Sequence, residues 1–276
     1  MKRSERLVDL TNFLLENPFK LQKLSTFTER YDSSKSTISE DLEIVRQVFK
    51  TRDIGILKTY TGTSGGVEFI PDISDEKSLD FAKDIEELMR HKNRILPGGY
   101  LYLSDIIGNP VNLKKIGRIL AHDFIDARVD AVMTIATKGI PIAQAAAECL
   151  NVPFVVVRRD PKVTEGATLA VNYMSGSSAK VESMVLSKRA LSPGQRVLIV
   201  DDFMKGGGTL NGMKSLVHET DCRVAGVSVF IEGPFHGERP ITDYRSMLRV
   251  DKIDLANHSI DVWLGNMFNN TKKESN

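Results

Sequence analysis

The sequence predicts an α/β protein of two domains, a small helical domain followed by a larger domain built on a parallel sheet. Three observations lead to this fold class. Three helical stripes and a glycine-rich hairpin fall within residues 1–73. Apolar β-branched runs then alternate with helical periodicities over residues 74–276, as in a parallel sheet with crossover helices. One of these runs ends in two acids and three glycines, which predicts a ligand site.

The first domain has the element order of a winged helix-turn-helix. Its first apolar stripe ends at Asn17-Pro18, a helix stop. The glycine-rich stretch from Thr61 to Gly66 joins two β-branched runs and would form the wing. The predicted elements are three helices, Leu7 to Leu14, Leu21 to Phe27 and Lys35 to Phe49, and two strands, Ile54 to Tyr60 and Val67 to Ile70.

The third helix of this arrangement would enter the major groove of DNA with its first residues near the base edges. Small hydroxyl residues and lysine can reach phosphates and bases from there. The candidate DNA contacts are Lys35, Ser36, Thr37 and Ser39 at the helix start, and Lys58, Tyr60 and Thr63 in the wing.

Two observations weigh against DNA binding. Residues 1–70 carry eleven basic and ten acidic side chains, far from the strongly basic footprint of a typical DNA-binding domain. Three-helix modules also serve as dimerisation or packing domains. The serines at the start of the third helix could therefore do no more than cap backbone N–H groups.

The composition of the chain excludes several classes of protein. With 276 residues, 41% of them hydrophobic, the chain can form a substantial core. Its two cysteines are expected to be buried thiols, and its five histidines lack metal-ligand spacing, so we predict no metal site. No apolar signal segment follows the first residues, and no apolar stretch is long enough to span a membrane. A cytoplasmic protein without a membrane partner is expected.

The second domain is predicted to begin with a polar bridge, Asp72 to Lys83, and a helix from Phe81 to Ile95. A strand is predicted to begin at Leu101, and a further helix spans Asn112 to Phe124. These elements could form the dimer-forming edge of the domain.

A βαβ unit follows. A strand from Ala131 to Ala136 leads into Thr137-Lys138-Gly139 and an alanine-rich helix. The next strand, Phe154 to Val157, ends in Arg158 and Arg159. Ligands of parallel sheets bind at the carboxyl ends of the strands, so both short segments are candidates for a binding site.

The acidic and glycine-rich stretch is predicted to be a strand, an acidic turn, a glycine loop and a helix. It consists of Val197 to Val200, then Asp201, Asp202, Phe203, Met204, Lys205, Gly206, Gly207, Gly208 and Thr209. Carboxylates accept hydrogen bonds from vicinal hydroxyls, and a glycine loop at a helix start presents N–H groups to a phosphate. A Walker A loop is excluded because Lys205 precedes the glycines, and a dinucleotide fingerprint because Asn211 replaces its third glycine.

This stretch resembles the phosphoribosyl pyrophosphate (PRPP) loop of type I phosphoribosyltransferases. The resemblance implies that Asp201 and Asp202 hold the ribose hydroxyls, while Lys205 to Thr209 hold the 5′-phosphate. It also implies that Thr137, Lys138 and Gly139 hold pyrophosphate through backbone N–H groups, aided by Arg158 and Arg159.

Two further features follow from that resemblance. Pro161 to Lys180 falls where these enzymes carry a mobile loop that closes over PRPP. Tyr244 to Val250 and Ile260 to Leu264 could form a small cap, the hood, which recognises the nucleobase in the enzymes. Trp263 could stack there, or merely pack.

Taken together, the two domains resemble the purine operon repressors of Gram-positive bacteria over nearly the whole chain. That family implies a cytoplasmic homodimer that represses purine biosynthesis genes and leaves its double-stranded operator DNA when PRPP binds. It implies a phosphoribosyltransferase-like domain used as a sensor, with no catalytic residue. No cofactor would be required, and PRPP would be the effector, with or without Mg²⁺. Gly206 departs from the alanine of many relatives, which leaves the backbone contacts intact.

Two alternatives remain open. The chain could be a catalytically active purine phosphoribosyltransferase with an accessory N-terminal domain, or an RNA-binding regulator on the same fold. The helix-turn-helix order argues against the second, because the major groove of RNA is too narrow for a reading helix.

Overall fold

The computed structural model describes residues 1–62, 65–175 and 180–269. It divides into two compact units, Met1–Ser74 and Asp75–Asn276, called here the N-terminal and C-terminal units. The predicted boundary lay between residues 73 and 74. Thr63, one of the predicted DNA contacts, lies outside the described residues. In the described part of the chain, no helix is both long and apolar enough to cross a membrane.

The N-terminal unit is a winged helix, as predicted. Its three strands form a sheet in the order β1-β3-β2. The short β1 was missed, because two residues carry no alternating pattern. The elements are α1 (Arg3–Glu16), β1 (Gln22–Lys23), α2 (Leu24–Tyr31), α3 (Lys35–Arg52), β2 (Gly55–Tyr60) and β3 (Gly66–Pro71).

This unit has a core of its own. Leu10, Phe27, Ile38 and Phe49 are fully buried in one cluster with side chains of the hairpin. The helices therefore bury the faces that their apolar periodicity predicted.

An ion pair inside the unit ties α1 to α3. The Nε atom of Arg6 donates to Asp41 Oδ2 at 2.6 Å, and Arg3 Nε donates to Asp41 Oδ1 at 3.0 Å. The carboxylate of Asp41 is fully buried, and burial of a charge is tolerated when it is paired in this way.

The C-terminal unit is an α/β domain with a parallel-dominated sheet, which confirms the predicted fold class. Its helices are α4 (Asp75–Met89), α5 (Ser104–Ile107), α6 (Pro110–His122), α7 (Gly139–Leu150) and α8 (Gly208–Glu219). Its strands are β4 (Ile95–Leu96), β5 (Tyr100–Leu101), β6 (Ala131–Ile135), β7 (Phe154–Val157), β8 (Thr168–Met174), β9 (Val181–Ser187), β10 (Arg196–Met204), β11 (Arg223–Glu232), β12 (Arg245–Asp254) and β13 (Ser259–Leu264).

The central sheet has the strand order β13-β12-β11-β10-β6-β7. All its neighbours are parallel except the edge pair β12 and β13. The suggested hood of Tyr244 to Val250 and Ile260 to Leu264 is thus wrong. Apart from Tyr244, which precedes β12, those segments lie in β12 and β13, which extend the main sheet because β12 pairs along β11.

Both faces of this sheet are covered. Alternate residues of β6 and β10, such as Met133 and Ile199, pack with Met213 of α8 and Met184 of the β8–β9 hairpin. Helices α6 and α7 lie against β6, β10 and β11. A strand buried on both faces has a continuous apolar sequence, as Val197 to Val200 does.

The predicted closing loop is partly regular structure. Within Pro161 to Lys180, β8 pairs antiparallel with β9, from Thr168 opposite Ser187 to Met174 opposite Val181. Ser187 Oγ donates to the carbonyl of Glu165 at 2.7 Å. Residues 176–179 lie outside the described ranges.

Candidate functional site

A cavity of about 650 Å³ opens where β6 and β10 end, at the carboxyl edge of the central sheet. This is where ligands of open α/β sheets bind. Of the predicted site residues, the following line it: Thr137, Lys138, Arg159, Asp201, Asp202, Phe203, Met204, Lys205, Gly206, Gly207, Gly208 and Thr209.

The two acids lie on a strand rather than in a turn, which corrects the sequence interpretation. Asp201 pairs with Val229 and Met204 with Glu232, so β10 runs on past the acids. The reason is that β11 is long enough to pair with the whole of this stretch. Their positions are therefore fixed by the sheet.

Asp201 is the more buried acid, at 4% exposure. Its carboxylate accepts the backbone N–H of Asp202 at 3.0 Å. Burial, reinforced by the charge of Asp202, raises the pKa of Asp201 well above its ordinary value. Burial also raises the pKa of Asp202, and the positive charge of Lys138 opposes that rise. Burial therefore disfavours the charged forms of both acids in the free site.

The first residue of α7 approaches the acids closely. A Cβ atom on Gly139 would lie 2.3 Å from Thr134 Oγ1 and 2.8 Å from Asp201 Oδ1. Only glycine fits there without displacement. Gly139 is buried and does not line the cavity itself, whereas Thr137 and Lys138 before it are exposed. The peptide between Ala136 and Thr137 is cis.

The glycine loop closes the other side of the cavity and begins α8. Gly207 has φ 78° and ψ 0°, the left-handed conformation that favours glycine. Gly208 and Thr209, the first residues of α8, line the cavity, and the first N–H groups of a helix lack intrahelical partners and carry a partial positive charge. Two carboxylates thus stand in the same cavity as a helix start that suits an anion.

The two arginines have separate roles. Arg159 lines the cavity, and its Nε lies 3.7 Å from Glu182 Oε2 on β9. Arg158 is not among the lining residues. Its Nε donates to Glu165 Oε1 at 3.0 Å, and its backbone bridges to Val185. The structure therefore brings Arg159, and not Arg158, to the other predicted residues.

Several lining residues were missed by the sequence interpretation. Gly98 and Gly99 come shortly after the helix predicted from Phe81 to Ile95, and both have positive φ, 82° and 76°. That pair was a usable signal, whereas the apolar contributors carried none. The additional lining residues are Gly98, Gly99, Tyr100, Leu101, Leu103, Ile135, Ala136, Leu210, Pro234 and Ile253.

Trp263 is not part of this cavity lining. It lies on the edge strand β13 and is 51% exposed. The Arg90 guanidinium carbon lies 5.7 Å from its ring centroid, a cation–π contact.

In the N-terminal unit, two of the predicted DNA-contacting hydroxyls, those of Ser36 and Thr37, lie next to the Ser34 hydroxyl. Ser34 caps α3 by accepting the Thr37 N–H at 3.2 Å, and its Oγ lies 2.8 Å from Ser36 Oγ. Ser39 Oγ donates to the carbonyl of Lys35 at 2.8 Å. Lys35, Ser36 and Ser39 are exposed and Thr37 is half-buried. Capping and DNA contact are thus both compatible with this helix start.

The described part of the wing carries two of its predicted contacts. Lys58 and Tyr60 are exposed on β2, with Lys58 Nζ 5.5 Å from the Tyr60 ring centroid. Tyr60 donates a hydrogen bond to Glu68 on β3.

Two family models match the chain. Residues 2–71 match the bacterial purine repressor N-terminal domain, and residues 105–263 match the phosphoribosyl transferase domain. The two matches fall in the two structural units.

Three relatives show how the whole chain compares. It is 64% identical over 269 residues to the purine biosynthesis transcriptional activator PurR of Lactococcus lactis subsp. lactis, covering 98% of this chain and 99% of the relative. It is 48% identical to the purine biosynthesis transcriptional repressor PurR of Bacillus subtilis, covering 96% of this chain and 93% of that one. A xanthine phosphoribosyltransferase of Exiguobacterium sp. is 30% identical and matches 62% of this chain and 94% of its own length.

The first two relatives match from end to end, whereas the enzyme matches over 181 residues of this chain. The fold, the two family models and the full-length identity agree: the chain belongs to the family of bacterial purine biosynthesis transcriptional regulators, which join a purine repressor N-terminal domain to a phosphoribosyl transferase domain.

Proposed function

We propose that the chain is a cytoplasmic homodimeric regulator of purine biosynthesis genes that binds operator DNA through its N-terminal unit and senses PRPP through its C-terminal unit. The observation that carries the proposal is the cavity in which Asp201 and Asp202 stand beside a glycine loop at a helix start. Carboxylates accept hydrogen bonds from the ribose hydroxyls, and the backbone N–H groups of the loop donate hydrogen bonds to the 5′-phosphate.

The remaining groups of PRPP have partners in the same cavity. Lys138 and Arg159 are the cations beside the acids, and they suit the pyrophosphate. Arg158 would reach that group only by leaving Glu165. The described lining residues include no acid besides Asp201 and Asp202, which fits a domain that binds PRPP without consuming it.

Mg²⁺ is compatible with this site. Carboxylate and pyrophosphate oxygens are the ligands that this ion prefers. No cluster of three or more His, Cys, Asp or Glu side chains in the described residues is arranged to hold a metal. The ion would therefore take its other ligands from the effector and water. Calorimetric titration of PRPP with MgCl2 and with EDTA tests its contribution.

The effector acts on DNA binding by linkage. PRPP must favour a protein state with different DNA affinity, and DNA must change PRPP affinity by the same factor. Because residues 1–70 are nearly neutral, one copy should bind DNA weakly. A dimer that places two copies on two half-sites is expected for this reason.

The regulator is proposed to act as a repressor that PRPP releases from its operator. A gel shift with purine-gene promoter DNA, with and without PRPP, tests this together with the site. Asp201→Ala and Asp202→Ala should each weaken PRPP binding by about 1–3 kcal/mol and leave DNA binding unchanged. Unchanged calorimetric affinity in both variants would reject the site.

The 64% identity to a relative named an activator supports a second candidate, activation of the same genes. Transcription from a purine promoter in a purified system distinguishes the two. A repressor lowers transcript yield and PRPP restores it, whereas an activator raises transcript yield when PRPP is added.

An active phosphoribosyltransferase is the remaining candidate, and the 30% identity to a xanthine phosphoribosyltransferase favours it. We expect no useful activity. Rapid formation of nucleotide from PRPP and any purine base would establish the enzyme instead.

A further inference from the structure

The glycine loop is held from outside by residues 233–244, which connect β11 to β12 and are called here the outer segment. The backbone N–H of Gly233 donates to the carbonyl of Met204 at 2.7 Å. A Cβ atom on Gly207 would lie 2.8 Å from Ile241 Cγ2 and 3.9 Å from Pro240 Cδ. The loop is therefore packed against this segment, and neither Pro240 nor Ile241 is among the cavity-lining residues.

Arg239 is the polar centre of the outer segment. Its Nε donates to the carbonyl of Lys205 in the glycine loop at 3.0 Å. Its Nη2 donates to the carbonyl of Gly233 at 2.8 Å, and its Nη1 to the hydroxyl of Tyr244 at 3.0 Å and to Glu232. One planar guanidinium thus joins the loop to the ends of β11 and β12.

The other partners fix this guanidinium in place. The carboxylate of Glu232 also accepts a hydrogen bond from Ser246 Oγ at 3.2 Å, and Glu232 is 9% exposed. Burial and the contact with Glu232 raise the pKa of Tyr244 to about 12, so its hydroxyl stays protonated at neutral pH. The charge of Arg239 is balanced by Glu232, and Arg239 is not among the cavity-lining residues.

The bond to Lys205 has a geometric consequence across the next peptide. The only cis peptide in the described chain is Ala136–Thr137, so the Lys205–Gly206 peptide is trans. In a planar trans peptide, the C=O and the following N–H point in opposite directions. Because the Lys205 carbonyl points to Arg239 outside the loop, the Gly206 N–H points to the opposite side, and Gly206 lines the cavity.

We propose that Arg239 is a positioning residue for anion binding, which holds the Lys205 carbonyl outward and thereby aims the Gly206 N–H at the 5′-phosphate of the effector. This proposal rests on the proposed PRPP site. It assigns a role to a residue that does not touch the ligand, and it predicts that the phosphate end of PRPP depends on Arg239 while the pyrophosphate end does not.

The test compares three ligands on one set of purified full-length variants. PRPP, ribose 5-phosphate and pyrophosphate are titrated calorimetrically into the parent, Arg239→Gln, Arg239→Lys and the control Arg249→Gln. Arg249 is a matched control because it is a surface arginine of β12 that also pairs with a carboxylate. Its Nε lies 2.8 Å from Asp251 Oδ1. Thermal unfolding of each variant is measured in parallel.

Arg239→Gln should weaken the binding of PRPP and of ribose 5-phosphate by the same factor, about tenfold, and leave the affinity for pyrophosphate unchanged. Arg239→Lys should restore part of the loss, because one ammonium group can reach the Lys205 carbonyl but cannot match the planar fork. Arg249→Gln should bind all three ligands like the parent.

Two results would overturn the proposal. One is an Arg239→Gln variant that binds ribose 5-phosphate as tightly as the parent. The other is an equal loss for all three ligands together with a lowered melting temperature, which would mean a general structural role. A parent that binds ribose 5-phosphate but not PRPP would refute the proposed effector and leave the Arg239 comparison valid. A parent that binds none of the three would reject both.

Discussion

Gly207→Ala isolates the conformation of the glycine loop from its chemistry, because alanine keeps the backbone N–H. Gly207 has φ 78°, and an L-residue in the left-handed region costs about 1–2 kcal/mol. Its new methyl group would lie 2.8 Å from Ile241 Cγ2. Since Ile241 is only 2% exposed, its displacement adds about 1 kcal/mol.

The two contributions predict a loss of about 2–3 kcal/mol for the C-terminal unit. For a domain of this size the melting temperature should fall by about 4–12 °C. The loop would also shift from its position at the start of α8, so PRPP affinity should fall by roughly tenfold.

Gly206→Ala is the matched control one residue earlier. Gly206 is outside the left-handed region, so alanine needs no unusual backbone conformation there. Differential scanning calorimetry of both variants provides the stability comparison, and PRPP titration compares Gly207→Ala with the parent, because Gly206 itself lines the cavity. If Gly207→Ala melts like Gly206→Ala and binds PRPP like the parent, the conformational argument for this loop is wrong.

Three other expectations follow from the geometry. Burial raises the pKa of Asp201 above 3.8, so above that pH this carboxyl binds more protons in the folded protein than in the unfolded chain, and its contribution to stability should fall as pH rises. Asp201→Asn should remove this contribution and change the pH dependence of thermal unfolding above pH 3.8, and an unaltered slope would count against it. Ser34→Ala should lower the free energy of unfolding of the N-terminal unit by about 1 kcal/mol. Lys35→Ala should leave stability unchanged and reduce the salt slope of operator binding by about one phosphate contact. A slope equal to that of the parent would exclude Lys35 as a DNA contact. Glu182→Gln removes the negative charge beside Arg159 and leaves this arginine to the ligand. Because the Arg159 side chain is 62% exposed, PRPP affinity should rise only about two- to fivefold in calorimetry. Weaker binding would contradict the pairing of Arg159 with Glu182.

Local patterns predicted the elements that bury one face or both faces. The stripe on α3 and the continuous apolar run of β10 each follow from the burial of these segments, and burial determines periodicity. The acids and glycines of the candidate site could also be identified, because these residues are contiguous in sequence.

What the sequence could not predict depends on partners distant along the chain. The acids Asp201 and Asp202 belong to a strand because β11 pairs alongside them. Arg239 bonds to Lys205 across 34 residues, and nothing near either residue indicates the other. The separation of Arg158 from Arg159 depends on Glu165 and Glu182. Glu165 lies in the segment that the resemblance described only as a closing loop, and Glu182 lies beyond it on β9.

The self-contained core of the N-terminal unit has a consequence during synthesis of the chain. Its buried side chains, from Leu10 to Phe69, all precede the boundary at Ser74, so this unit can fold while the ribosome is still translating Asp75–Asn276. At about 5–20 residues per second that translation takes about 10–40 s. A nascent chain or an early-terminated fragment would then present the proposed DNA reader without the proposed PRPP site. Such a fragment could not respond to the effector, and as a single, nearly neutral copy it would bind operator DNA only weakly.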